Sequence, residues 1–199
     1  MVENKSFDVY RFTACLTAFA IMLQIVLGAL TRLTGSGLAC PDWPLCYGLW
    51  FPTPTELAGL EIDYSFFQVM LEWTHRFNAA AVVAPLVLAI SVFAWFERKL
   101  SPVNWRISAA ALVTLIIQGG VGGLTVFDRN SSWSVAVHLG LASILLALVV
   151  SAICLKYVSY SDWSSRASTK VCRFVAALGV LVLITMVSGA IVAKSGATL

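Results

Sequence analysis

The chain contains two histidines, and both lie inside long apolar segments. His75 is well inside the second segment, and His138 is near the start of the fourth. An ionisable side chain within a membrane is expensive, so two at comparable depth indicate a shared function. Imidazole suits iron, and facing histidines from separate helices hold a haem iron through both axial positions. The pair predicts a bis-histidine haem site; the alternative is a neutral ring hydrogen-bonded to a neighbouring serine or threonine.

A second ionisable cluster adjoins the first histidine in the segment LEWTHRF. Glu72, His75 and Arg76 are spaced i, i+3 and i+4, so they share one helical face. The simplest interpretation is a Glu72–Arg76 salt bridge along the helix. The functional interpretation is a carboxylate placed to move a proton or to stabilise developing positive charge. Arg76 would suit a haem propionate through charge-assisted hydrogen bonds.

Composition predicts an all-α integral membrane protein. Of the 199 residues 59% are hydrophobic and 12% are charged, and the mean hydropathy is +0.87, far outside the range of soluble domains. A hydrocarbon core of about 30 Å needs roughly 20 helical residues. Runs of that kind cover residues 12–30, 67–96, 105–124, 135–157 and 171–192. Start signals at Ser65–Gln68, Ser101–Pro102 and Ser131 support three of these boundaries.

Basic residues favour one side of the predicted spans, which places the N-terminus in the cytoplasm. That side carries Lys5, Arg11, Arg98, Lys99, Arg106, Lys156, Arg166, Lys170 and Arg173, and the other carries Arg32, Arg129 and Lys194. The bias explains the net charge of +3, so we expect a lipid bilayer and no nucleic acid as partner. The expected location is the bacterial inner membrane, with residues 33–52 outside in an oxidising compartment.

The five cysteines divide into two groups. Cys40 and Cys46 bracket PDWPL in the outer loop, and prolines stiffen the loop, so we predict a disulfide. Two reduced thiols in an interfacial turn are the alternative, and zinc is disfavoured because no further Cys or His lies nearby. Cys15, Cys154 and Cys172 lie in or beside helices and are predicted to be small buried apolar residues.

Four motifs together resemble the first half of haem A synthase. They are RLTGSGLACPDWPLCYG from Arg32, EWTHR from Glu72, QGGVGGLTV from Gln118 and HLG from His138. Members of that family are membrane oxidoreductases that oxidise the C8 methyl of haem O to a formyl group by successive hydroxylations, giving haem A for terminal oxidases. The typical form has two similar four-helix halves, each with a histidine pair. The first half is taken to hold the substrate haem, and the second a haem b that passes electrons.

The resemblance implies a role for each matched residue. His75 and His138 would be axial ligands, Glu72 the essential acidic residue, and Cys40 with Cys46 the outer-loop disulfide. The loop would then cap the outward-lying haem pocket, fixing its mouth or relaying redox state. Haem O synthase and oxidase assembly factors would be the expected partners.

An internal repeat concerns the end of the chain. Residues 187–199 align without gaps with residues 26–38, with identical Val, Gly, Ala, Gly and Leu positions. This predicts a four-helix haem-binding half at residues 1–160, followed by a cytoplasmic linker and the first helix of a second repeat at 161–199. The reading frame is then expected to continue for roughly 100 to 150 residues with two further histidines. Chance similarity between glycine-bearing helix ends is the alternative, and a half-size enzyme would work as a homo-oligomer.

Two other functions fit the same residues. A bis-histidine cytochrome b module would only transfer electrons, and Glu72 would be dispensable in it. A non-catalytic haem carrier or assembly partner of a terminal oxidase is the other. The identity of the bound haem separates these functions fastest.

Overall fold

The computed structural model describes residues 2–157, 179–181, 184–185 and 188–189, and the regular structure of these residues is helical. The helices in chain order are α1 (Val2–Leu33), α2 (Pro54–Leu57), α3 (Phe66–Asn78), α4 (Ala84–Phe96), α5 (Pro102–Phe127) and α6 (Ser132–Tyr157), with a π-helical turn (Ala79–Val83) between α3 and α4. Most of the predicted fifth span lies outside the described residues. So do Cys172 and most of the repeat at 187–199.

Within the described residues, four helical segments are long and apolar enough to cross a membrane. They are Val9–Leu33, Phe66–Phe96, Pro102–Phe127 and Ser132–Leu155. Large apolar side chains cover the outside of the bundle, with Phe12 exposed at 71% and Ile116 at 69%, as expected where lipid is the surrounding solvent. The prediction of an all-α integral membrane bundle is confirmed, and its first four spans match within a few residues at each end.

The sequence signals for helix starts differ in how they act. Ser65 and Gln68 form the predicted capping box, because each side chain bonds the backbone N–H of the other. Ser131 Oγ accepts from the Ser134 backbone N–H at 3.4 Å and so caps α6. Ser101 precedes Pro102 at the start of α5, but its side chain makes no capping bond. The fixed φ of proline suits that first helical position by itself.

The second membrane span is one continuous helix with a π-helical turn in its middle. The backbone N–H of Ala84 bonds the carbonyl of Ala79, five residues back. Pro85 follows directly in the first turn of α4 and has no N–H to donate. A single π turn accommodates such a break and rotates the following residues around the helix axis. α3 and α4 therefore present different faces to their neighbours.

The two halves of the bundle pack differently. We call the end that carries residues 34–65 and 128–131 the loop end. Away from the loop end, α4 packs against both α1 and α5, and Val87, Ile90 and Val149 are fully buried there. Towards the loop end, α3 packs against α1, and among the described residues it has no comparable contact with α5 or α6. We call the space between α3 on one side and α5 and α6 on the other the loop-end gap.

The free cysteines correct one prediction. Cys15 and Cys154 are exposed on the bundle surface, so the expectation that they are buried is wrong. In a soluble protein, small apolar residues such as free cysteine lie in the protein core, and the expectation applied that rule to this chain. In a membrane bundle the outside is apolar as well, and small cysteines fit equally well against lipid.

Candidate functional site

The His75 ring lies on α3 and is held from α1 by Gln24. The Gln24 amide nitrogen, Nε2, donates to the His75 backbone carbonyl at 3.0 Å and lies 3.1 Å from ring Nδ1 and 3.3 Å from ring Nε2. Asn78 Nδ2 donates to Gln24 Oε1 at 2.8 Å, which turns the Gln24 NH₂ group towards the histidine. A Cβ added at Gly28 would lie 3.0 Å from His75 Cε1. The surface of α1 therefore seats this ring closely.

The His138 ring on α6 is held from α5 in a similar way. Gln118 Nε2 makes a long hydrogen bond of 3.4 Å to His138 Nε2. A Cβ added at Gly122 would lie 3.1 Å from His138 Cε1. His138 Nδ1 and Gln118 Oε1 are buried and have no hydrogen-bond partner among the described residues.

Both histidines belong to the loop-end gap. α3 and α6 both run away from the loop end. His75 is the tenth residue of α3 and His138 the seventh of α6, so both rings lie roughly 10 to 15 Å along their helices from the loop end. The structure thus places the two histidines at a similar depth in the bundle.

Glu72 lies one turn nearer to the loop end than His75 and is 4% exposed. Its Oε1 accepts from Arg76 at 2.6 Å, so the predicted salt bridge is present. Its Oε2 accepts from the backbone N–H of Cys40 at 2.8 Å. A carboxylate has about four acceptor positions, so these two bonds leave capacity for a further donor. Glu72 is therefore both an anchor of the loop and a buried charge beside the histidine.

Arg76 bonds the loop as well as Glu72. Its four terminal N–H groups are directed at Glu72 Oε1 and at the backbone carbonyls of Cys40, Asp42 and Leu45. Arg76 therefore holds the loop onto α3. The expectation that it also binds a haem propionate stays a prediction.

The loop is a compact cap with its own small core. Cys40 and Cys46 are joined by a disulfide, as predicted, and both are fully buried. Asp42 accepts from the backbone N–H groups of Tyr47 and Gly48 at 2.6 and 2.8 Å. Burial raises the pKa of the Tyr47 phenol, and nearby acidic groups including Glu72 raise it further, so the phenol stays neutral at neutral pH.

Trp43 connects the loop with α5, on the other side of the gap. An added Cβ at Gly123 would lie 3.1 Å from Trp43 Cδ2, so the indole lies directly on the α5 backbone. Gly123 follows Gly122, on which the His138 ring rests. The loop thus bonds α3 through Arg76 and Glu72 and contacts α5 through Trp43. It closes the gap at the loop end.

These features fit a haem. The donor set is two imidazoles from different helices, which could supply both protein ligands of a haem iron. Each ring rests against a glycine that leaves no side chain between helix and ring. Among the described residues His138 Nδ1 has no partner, and a ligating histidine uses its second nitrogen to bond an outer acceptor. The described part of the chain has no group of three or more His, Cys, Asp or Glu side chains suited to a bare metal ion.

Sequence reasoning missed the residues that support the histidines. Gln24 and Asn78 received no role, and Gln118 was noted only within a glycine-rich motif. The available signal was a neutral amide in the middle of an apolar span, since such groups bond across helices. The contact of Trp43 with α5 depends on the folded path of the loop and had no sequence signal.

The fold and the site define an integral membrane helical bundle with a histidine pair held between its helices. The chain matches the COX15-CtaA family, cytochrome oxidase assembly protein, over residues 11–199, so it belongs to that family. It is 31% identical to the haem A synthase of Bacillus pumilus over 144 residues, covering 70% of this chain and 42% of the relative. It is 30% identical to the haem A synthase of Bacillus licheniformis over 138 residues, covering 68% of this chain and 41% of the relative.

The chain thus spans about two fifths of the length of these haem A synthases. A further relative is the protoheme IX farnesyltransferase of Halobacterium salinarum, with 33% identity over 144 residues, which cover 71% of this chain and 28% of that protein. No solved structure matches the chain.

The disulfide gives a direct labelling prediction. In a variant with Cys15, Cys154 and Cys172 replaced by serine, a maleimide reagent should label Cys40 and Cys46 only after reduction, because the bridge withholds both thiols. Mass spectrometry of the intact protein counts the added groups. Labelling of the pair without reductant would rule out the bridge.

Proposed function

We propose that this chain is the substrate-binding part of a haem A synthase. It holds haem O in the loop-end gap between His75 and His138, and Glu72 serves the oxidation of the C8 methyl group to a formyl group. The observation that carries this proposal is the histidine pair, which is held from opposite sides of a gap within a membrane bundle. The names of the relatives support the choice of reaction.

The overall reaction sets what the protein must provide. Each hydroxylation of the methyl group by water removes two electrons and two protons, and after two rounds the resulting diol loses water to give the formyl group. The net change adds one oxygen and releases four electrons and four protons. We propose that the electrons leave to a haem b in a second four-helix half, as the family resemblance implies. Residues 161–199 would begin that half.

We propose that Glu72 accepts the protons that the oxidation releases. It is buried one turn from His75 and keeps free acceptor positions beside its bonds to Arg76 and Cys40. When ionised, its carboxylate would also stabilise positive charge developing on the substrate. The loop covers this end of the gap, where Trp43 lies against α5 and the disulfide braces the loop.

The supply of substrate suggests a partner. The Halobacterium salinarum relative is named for farnesyl transfer to protohaem IX, and it contains a segment similar to this chain within a longer polypeptide. We propose that haem O passes directly from such a transferase to this chain within the membrane. The N-terminus would lie in the cytoplasm and the disulfide loop outside, in the inner membrane of a bacterium.

The identity of the haem that purifies with the chain tests the proposed function. The chain is purified from cells that make haem B and haem O, and the extracted haem is separated and weighed by mass spectrometry. We expect haem O in the wild-type chain and none in a His75→Leu, His138→Leu double variant. Haem B alone, with haem O available, would favour the electron-transfer module, and a haem-free chain would refute both.

A further inference from the structure

The two histidines are held by the same short sequence pattern, used twice. Glutamine, glycine and threonine recur at the spacing Q-x3-G-x2-T in α1 and α5: Gln24, Gly28 and Thr31; Gln118, Gly122 and Thr125. In both helices the threonine hydroxyl bonds the glycine carbonyl, at 2.8 and 2.7 Å. In both, a backbone N–H five residues beyond the threonine returns to the threonine carbonyl at 2.7 Å.

The ring contacts repeat as well. Each glycine faces the Cε1 atom of the histidine on the following membrane span, at nearly equal distance. Each glutamine places its amide nitrogen against that same ring. A chance arrangement would not repeat all three features: the spacing of the glutamine, glycine and threonine, the contact with histidine Cε1, and the backbone bond to the threonine carbonyl at the helix end. The bundle is therefore two similar helical hairpins, each of which presents one imidazole to the gap.

The two glutamines differ in what their amide oxygen does. Gln24 Oε1 accepts from Asn78, so that amide is fully engaged. Gln118 Oε1 has no partner in the part of the chain described, and neither does His138 Nδ1. A buried polar group left without a hydrogen-bond partner is costly, and here two such groups lie on residues that are already in contact.

The contact fits one tautomer of the ring. With Gln118 Nε2 as the donor, His138 Nε2 accepts and the ring proton lies on Nδ1. This tautomer leaves the Nε2 lone pair available for a metal. When Nε2 is taken by iron, the glutamine loses its acceptor and the Nδ1–H needs one. The unpaired Gln118 Oε1 can meet that need.

We propose that Gln118 is the positioning residue of His138: it holds the ring in the ligating tautomer before haem binds and accepts its Nδ1–H afterwards. Gln24 holds the equivalent position on α1, and its amide nitrogen fixes the His75 ring. The inference rests on the proposed function. It makes the two axial imidazoles unequal, since only His138 gains an acceptor that increases its electron donation to iron.

The test compares three variants of the purified chain loaded with haem O. Gln118→Met keeps the size of the side chain and removes the acceptor. We expect haem loss to an acceptor globin to accelerate about 10- to 100-fold, and the midpoint potential to become more positive. Gln118→Glu accepts more strongly and should make the potential more negative. Ile116→Val, at a lipid-facing side chain of α5 that is 69% exposed, should match the wild type in both measurements.

The outcomes separate the two proposals. A wild-type chain without a bis-histidine haem signal refutes the proposed function itself. A wild-type chain with that signal, together with unchanged haem loss and potential in Gln118→Met, refutes the role of Gln118 alone. If Gln118→Met does not accumulate, an unchanged or more positive potential in Gln118→Glu overturns the inference, because a merely structural role does not set the direction of the shift.

Discussion

Replacing His75 or His138 with leucine is expected to abolish the low-spin bis-histidine haem signal of the purified chain. In the proposed site each ring would supply one ligand to the iron, and the sequence contains no other histidine to take its place. Leucine fills a similar volume without a nitrogen. Absorbance and electron paramagnetic resonance spectra of equal amounts of protein report the loss, and extracted haem is expected to fall in parallel.

The matched control for these variants is Phe77→Leu. Phe77 lies two residues after His75 on the same helix and is 51% exposed, so its replacement removes an aromatic ring from the surface and not from the gap. We expect its spectrum to match the wild type. A low-spin spectrum retained by both histidine variants would show that the iron ligands lie elsewhere.

Glu72→Gln is expected to keep the haem and to stop the reaction. In cells where the wild-type protein converts haem O to haem A, we expect haem A to fall by about a hundredfold or more, the usual contribution of a general acid or base. Glutamine retains an oxygen that can accept from the Cys40 N–H, so the loop keeps one of its two anchors on this residue. The ratio of haem A to haem O in membrane extracts measures the effect.

Glu56→Gln is the control for Glu72. It changes a carboxylate that caps the short helix α2 in the same loop region and is exposed. Haem A should stay at the wild-type level in this variant. Equal loss of haem and of conversion in Glu72→Gln would assign Glu72 to the salt bridge and the loop alone, and normal conversion would exclude a catalytic role.

The fold was predictable because a membrane restricts which structures a chain can form. Spans must be helical and about 20 residues long, so hydropathy alone located the first four of them. The capping box at Ser65 and Gln68 also acts locally and was readable. The π-helical turn was not predicted, because Pro85 indicates a break without giving its form. The lipid-facing positions of Cys15 and Cys154 depend on helix rotation, which composition does not determine.

The site was predictable only as far as rare residues mark it. Two histidines in an apolar chain are conspicuous, and so is a glutamate one turn away. The bonds from Arg76 to the loop carbonyls could not be predicted, because the backbone path of the loop has no sequence signature. The supports at Gln24 and Gln118 act across helices. They became interpretable only once each was seen beside its histidine.

Titration of haem O into the purified haem-free chain tests the central claim most directly. Near-infrared magnetic circular dichroism identifies the axial ligands, and the titration gives the stoichiometry. We predict saturation at one haem per chain with a bis-imidazole spectrum, which the His75→Leu, His138→Leu double variant does not show. Binding without a bis-imidazole spectrum, or the same spectrum in the double variant, would contradict a haem held between these two residues.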